Sequence, residues 1–149
     1  MGRLFAILLA AVPALVTTAM LDAAEPLVVI VHPDSGVQRM SAEEVANIFL
    51  GSEKRLANGL VVLPVELVVP EDLRSTFYKL VAHTSLAQVR SYWAQRFFSG
   101  QAQPPRQAQS AEEVIDIVSA NKGAIGFIGK GSMKGRVHAV LILGVEGGK

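Results

Sequence analysis

Cysteine is absent from the 149 residues, which excludes disulfide staples, thiolate nucleophiles and every Cys-ligated metal site. Whatever stability the chain has comes from packing. Charge of one sign is also missing. With 14 Lys and Arg against 13 Asp and Glu, the formal net charge is only +1, and a protein that coats a polyanion needs clustered positive charge instead. No segment after the first two dozen residues approaches the ~20 apolar residues of a membrane span. No internal repeat or low-complexity tract is present.

The N-terminal residues carry the first positive signal. Met1-Gly2-Arg3 supplies one fixed charge, Leu4 to Val16 is almost wholly apolar, and Thr17-Thr18-Ala19 offers small residues at the exit. That order describes a secretory leader rather than a span. The leader is assigned to residues 1–24, with a cut after Ala19 as the alternative, because Asp22 fits poorly at the outer recognition position for a cut after Ala24. The expected location is the periplasm or the exterior. This disfavours ATP-driven chemistry, cytosolic cofactors and nucleic-acid partners. Residues 25–149 remain as one domain, long enough for a real core.

Strand and helix signals alternate along that domain. Leu27 to His32 is a β-branched run suited to a strand buried on both faces, closed by Pro33-Asp34-Ser35-Gly36. Ser41 with Glu44 forms a capping box ahead of a helix that buries Val45, Ile48 and Phe49 and stops at Gly51. After a polar loop from Lys54 to Gly59, Val61 to Val69 reads as a strand, and Pro64 hints at an edge or bulge. Pro70 suits a first helical turn, with Leu73, Phe77, Leu80 and Val81 as the buried stripe. Ser85 caps a further helix, in which Leu86, Val89, Trp93 and Phe97 recur at helical spacing. Gln101 to Gln109 reads as an extended connector, and Ser110 with Glu113 as a second capping box before a helix ended by Gly123. Strands at Ala124–Ile128 and Val137–Leu143 enclose a Gly/Lys loop. The fold class is α/β: a single three-layer lobe, with a small mixed sheet flanked by helices.

Three stretches carry a resemblance: Ser41-Ala-Glu-Glu-Val-Ala-Asn-Ile-Phe-Leu-Gly51, Arg90-Ser-Tyr-Trp-Ala-Gln-Arg-Phe-Phe-Ser-Gly100 and Gly123-Ala-Ile-Gly-Phe-Ile128. In this order and spacing they resemble the periplasmic substrate-binding proteins of phosphate ABC transporters, and more closely a set of short, exported, single-domain relatives. The resemblance implies a periplasmic-binding-protein lobe and a non-catalytic role. It implies a small oxyanion such as phosphate as ligand, and a membrane transporter or sensor protein as partner. Family members close two lobes over the anion, whereas this chain has the length of one. The family's anion-binding helix start follows a pattern like Arg-x-Asp-Gly-Ser-Gly-Thr-Ser-Phe. Aligned on Phe77, Ser75 and Thr76 match as hydroxyls, while Val69, Leu73 and Arg74 stand where Arg, Ser and Gly would be.

The expected ligand-binding residues are Ser35, Gly36 and Arg39 after the first strand, and Arg74, Ser75 and Thr76 at the helix start. They would hold an anion by hydroxyls, backbone N–H groups and a guanidinium. Tyr92, Trp93, Phe97 and Phe98 are the one dense aromatic group, with core packing the reading for Trp93 and Phe97. Gly129-Lys130-Gly131 lacks the upstream glycine of a P-loop, since Ala124 stands there. Lys130, Lys134 and Arg136 form a small basic cluster. The three histidines, His32, His83 and His138, are scattered, and no Gly-x-Ser-x-Gly elbow occurs, so no metal, cofactor or catalytic residue is assigned. The leading expectation is an exported oxyanion-binding protein. The alternative is a periplasmic interaction or sensor-accessory module that kept the lobe and lost the ligand.

Overall fold

The computed structural model describes residues 25–144, so the proposed leader lies outside the described residues. Five strands form one mixed sheet: β1 (Leu27–Val31), β2 (Leu63–Leu67), β3 (Arg106–Ala108), β4 (Ala124–Gly129) and β5 (His138–Leu143), in the order β3-β2-β4-β1-β5. β1 is antiparallel to both of its neighbours, while β2 is parallel to β3 and β4. All five residues of β1 are buried, as its unbroken apolar run requires of a strand covered on both faces.

The covering is done by four helices, α1 (Ala42–Phe49), α2 (Glu71–Ala82), α3 (Leu86–Phe98) and α4 (Ala111–Ala120). Successive residues of β4 show which helix lies where. Phe127 stacks on Phe77 of α2 at 3.8 Å and meets Phe49 of α1 edge-on at 5.8 Å. A Cβ at the preceding Gly126 would fall 2.5 Å from Val114 Cγ1 of α4. Because strand side chains alternate, α1 and α2 cover one face and α4 the other, with α3 packed on α2. The result is a three-layer α/β lobe. Each large apolar side chain buried in it contributes about 1.5–3 kcal/mol.

Local signals explain most of the boundaries. Ser41 and Glu44 form the expected box around the start of α1, and Ser85 with Gln88 forms another at α3. At α4 only half a box forms. Ser110 accepts the Glu113 N–H, but the Glu113 carboxylate takes the N–H of Gln109 instead of that of the cap residue. Pro70 sits at the N-cap of α2 and not inside its first turn, and it supplies no side-chain cap.

Four further expectations are corrected. The 101–109 connector contains a strand, β3, whose three residues pair with Val65 to Leu67. β2 is shorter than expected and lies inside the sheet, not at its edge. Pro64 is tolerated because Leu63 donates to Gly123 on the β4 side, so the Pro64 nitrogen faces the other side, where β3 has not yet begun. α4 ends at Asn121, whose side chain donates to Ile117 O at 2.8 Å, and not at Gly123. Gly123 is needed for another reason: a Cβ there would sit 2.5 Å from Val61 O. Phe97 leaves the buried stripe of α3, because Trp93 is that helix's last buried residue and the final turn projects beyond it.

Candidate functional site

β1 runs antiparallel to β4, and β2 runs parallel to it. The loop after β1 and the helix after β2 therefore lie at opposite ends of the sheet. A five-residue strand at ~3.3 Å per residue separates them by roughly 15 Å. Ser35, Gly36 and Arg39 occupy one end and Arg74, Ser75 and Thr76 the other, so the two groups do not come together around one small anion.

At the β1 end, the chain turns through Ser35, whose N–H donates to His32 O at 3.0 Å, and Gly36, whose φ of +77° suits glycine. Ser35 is buried, and its polar atoms are already committed. Its Oγ accepts the Val37 N–H at 3.2 Å, and its carbonyl accepts the Asn58 side-chain amide at 2.8 Å. Arg39 is exposed on a cleft of about 320 Å3 that Glu44, Asn47, Glu53 and Arg55 also line. Arg39 forms no ion pair among the described residues. The two acids beside it are occupied by backbone: Glu44 accepts the Ser41 N–H, and Glu53 accepts those of Lys54 and Arg55. The Ser41 backbone N–H and then its hydroxyl hold the Glu44 carboxyl below its ordinary value. Arg55 donates to Gly59 O at 2.8 Å.

At the β2 end, Arg74 is engaged internally. Its Nε donates to Glu66 Oε1 at 2.6 Å and its Nη2 to Oε2 at 3.1 Å, a two-pronged pair in which the side chains are only 13% and 3% exposed. Tyr78, one turn further along α2, buries its ring completely. Burial first, and the Glu66 charge second, push its phenol well above the ordinary value. Its hydroxyl makes no hydrogen bond of good geometry, so Glu66 acts on it as a neighbouring charge. Ser75 is exposed and Thr76 half-buried, and the α2 start carries Glu71 and Asp72. Glu71 pairs with Arg90 at 3.1 Å on the surface.

Neither Glu66 nor Tyr78 was expected from the sequence to matter. A signal for the first existed: a lone acid inside the apolar run Val65-Glu66-Leu67-Val68, with an arginine eight residues on. Two members of the basic cluster are paired on the surface: Lys134 pairs with Glu112, while Arg136 reaches Glu112 at 3.1 Å and Asp116 at 2.9 Å, both acids on α4. The Gly/Lys loop holds the two residues just ahead of β1: Gly131 N–H donates to Glu25 at 2.6 Å, and Lys130 N–H to Pro26 O at 2.8 Å. Among the described residues no three His, Asp or Glu side chains gather as metal ligands, and no helix is long and apolar enough to cross a membrane.

With this geometry in place, known structures supply a frame. An ABC-type phosphate transport receptor from Vibrio cholerae superposes with a TM-score of 0.62 at 19% identity, covering 78% of this chain and 45% of its own. A phosphate ABC transporter substrate-binding protein from Clostridium perfringens, solved with bound phosphate, gives 0.63 at 17% identity, covering 78% and 44%. PstS from Borrelia burgdorferi gives 0.59 at 16%, covering 78% and 46%. No protein-family profile matches the chain, and no curated protein matches it in sequence. The fold is thus that of the phosphate-transporter substrate-binding proteins. The chain spans less than half the length of those structures, so it is a short portion of their fold.

Proposed function

We propose that this protein is a non-catalytic cell-envelope interaction module, a binding-protein lobe that docks on a transporter or sensor component without gripping an oxyanion at its α2 start. One observation carries this reading: the guanidinium nearest the helix start, Arg74, is already neutralised by the buried carboxylate of Glu66. A phosphate there would have to displace an internal ligand held by two hydrogen bonds, next to Glu71 and Asp72 of the same turn. Fold similarity alone does not transfer a ligand, because function lives in the site.

A second reading keeps the oxyanion but moves it. Arg39, without an acidic partner among the described residues, lines an open cleft at the β1 end of the sheet, three residues beyond the turn through Ser35 and Gly36. Thermal unfolding in phosphate and sulfate separates the two. A ligand at 100 times its Kd stabilises by about 2.7 kcal/mol, which is several degrees for a domain of this size. The interaction-module reading expects no specific shift with either anion. A phosphate shift lost in Arg39→Ala and kept in Arg74→Ala would replace it with the β1-end reading. A shift lost in Arg74→Ala would restore an oxyanion at Arg74, Ser75 and Thr76.

A further inference from the structure

Opposite charges that share a surface usually meet. In most of this structure they do: Lys134 and Arg136 reach Glu112, Arg136 also reaches Asp116, Arg90 reaches Glu71 and Arg74 reaches Glu66. The cleft at the β1 end is different. Two basic residues, Arg39 and Arg55, and two acids, Glu44 and Glu53, all line it. No two of these four form an ion pair.

Local bonds explain why the cleft does not neutralise itself. Glu44 Oε2 accepts the Ser41 N–H at 2.7 Å, as part of the capping box of α1. Glu53 Oε1 accepts the N–H groups of Lys54 at 2.9 Å and Arg55 at 3.0 Å. Arg55 Nη1 donates to Gly59 O at 2.8 Å. Each of these contacts reaches four residues or fewer along the chain, so three of the four charges are held by their own segments and not by their opposites. Each carboxylate spends one oxygen this way and keeps the other for a further donor. Beneath the charges the floor is apolar: Val37, Ile48 and Leu56 belong to the buried core and also line the cleft. Its volume of about 320 Å3 lies at the small end of the ~300–1,000 Å3 range of ligand sites.

We infer that this cleft binds a small zwitterion: a molecule joining a carboxylate, an ammonium group and a short apolar body, of which a free apolar amino acid is the simplest case. Charge selects this class first. A plain anion, inorganic phosphate included, would share the cleft with two carboxylates, and a plain cation would share it with two guanidinium groups. A molecule carrying both signs satisfies both sets through charge-assisted hydrogen bonds, which are stronger than neutral ones. The apolar floor then accommodates the body, which favours such a molecule over a purely ionic solute. Charges already held in place also lose little freedom on binding. The inference goes beyond the proposed docking role and does not rest on it. It competes with the oxyanion placed at Arg39, and the experiment below separates the two.

The full chain is titrated by isothermal calorimetry with L-leucine, L-valine and L-proline up to millimolar concentration. The N-acetyl and amide forms of each amino acid, which carry one charge only, and inorganic phosphate serve as controls. At least one of the three amino acids is expected to bind, and its N-acetyl form, its amide and phosphate are expected to bind on the order of tenfold or more weaker. Arg39→Gln should weaken the amino acid by a similar factor. Glu44→Gln/Glu53→Gln should do the same, since it removes both negative charges and keeps both side-chain acceptors, as Gln88 does in the box at α3. If that double variant has a lowered Tm, Arg39→Gln alone decides, because Arg39 is exposed and forms no ion pair. The inference is overturned if none of the three amino acids binds, if a single-charge form binds as tightly as its parent, or if Arg39→Gln leaves the affinity unchanged. Phosphate binding tighter than every amino acid also overturns it and returns the cleft to the oxyanion reading. Loss of the docking role would leave it standing, since no partner protein enters the titration.

Discussion

Arg74 and Arg39 lie at opposite ends of one sheet and face opposite surroundings. Arg74 meets a carboxylate supplied by the neighbouring strand, in a place from which water is largely excluded. Arg39 stands on an open cleft whose acids are already held by backbone N–H groups. A charge taken out of water needs a partner, and the fold provides it through Glu66. A charge left in water needs none, and it remains available to an external group. The comparison teaches that an arginine near a helix start is not by itself an anion site. What decides is whether the chain has brought its own anion.

The sharpest way to break this contrast is to remove that anion. Glu66→Ala leaves a half-buried guanidinium uncompensated and is expected to cost about 3–5 kcal/mol in urea denaturation. Glu66→Leu with Arg74→Met removes both charges at similar volume and is expected to recover most of that loss. If Glu66→Ala costs under about 1 kcal/mol, the pair is not the internal ligand argued for here. Tyr78 offers a second probe of the same end. Burial raises its folded pKa above the ordinary 10.0, so the neutral phenol is the form the fold favours. That contribution is complete below pH ~10 and is lost as the pH rises further, because the unfolded chain then releases the proton more readily. Tyr78→Phe, measured by denaturant midpoint across the alkaline range, should flatten this loss. An unchanged alkaline decline would place its origin elsewhere.

What was legible in the sequence follows how local each signal is. The box at Ser41 and Glu44 and the hydroxyl cap at Ser85 act within four residues, and both appear where the residues are. The apolar run from Leu27 marks a strand buried on both faces for the same reason. β3 escaped because three polar-flanked residues after Pro104-Pro105 become a strand only when β2 lies beside them. Phe97 escaped because helical spacing tells which face a residue is on, not where the neighbouring layer stops. The candidate site was least legible. Ser35 and Ser75 each follow the end of a strand, but no local feature reveals that β1 runs against β2, and that direction sets them at opposite ends. The partner of Arg74 was hidden likewise, since pairing across eight residues depends on how α2 lies on β2.

The β1 end supplies the smallest effects and the finest discrimination. Ser35→Ala removes the acceptor of the Val37 N–H inside a buried turn, and its expected cost is about 1 kcal/mol. Arg39→Ala removes an exposed charge with no ion-pair partner among the described residues, so its expected change is within about 0.5 kcal/mol. Denaturation midpoints of the two variants, taken without added anion and then in phosphate, separate structure from ligand. If Ser35 has only its structural role, Ser35→Ala shifts the midpoint equally in both media. If the cleft holds an oxyanion after all, Arg39→Ala, silent in plain buffer, erases whatever gain phosphate confers on the parent chain. A variant silent in both media returns Arg39 to a solvated side chain as far as oxyanions go, and the two ends of the sheet then differ in burial and in the internal ion pair, with no oxyanion at either.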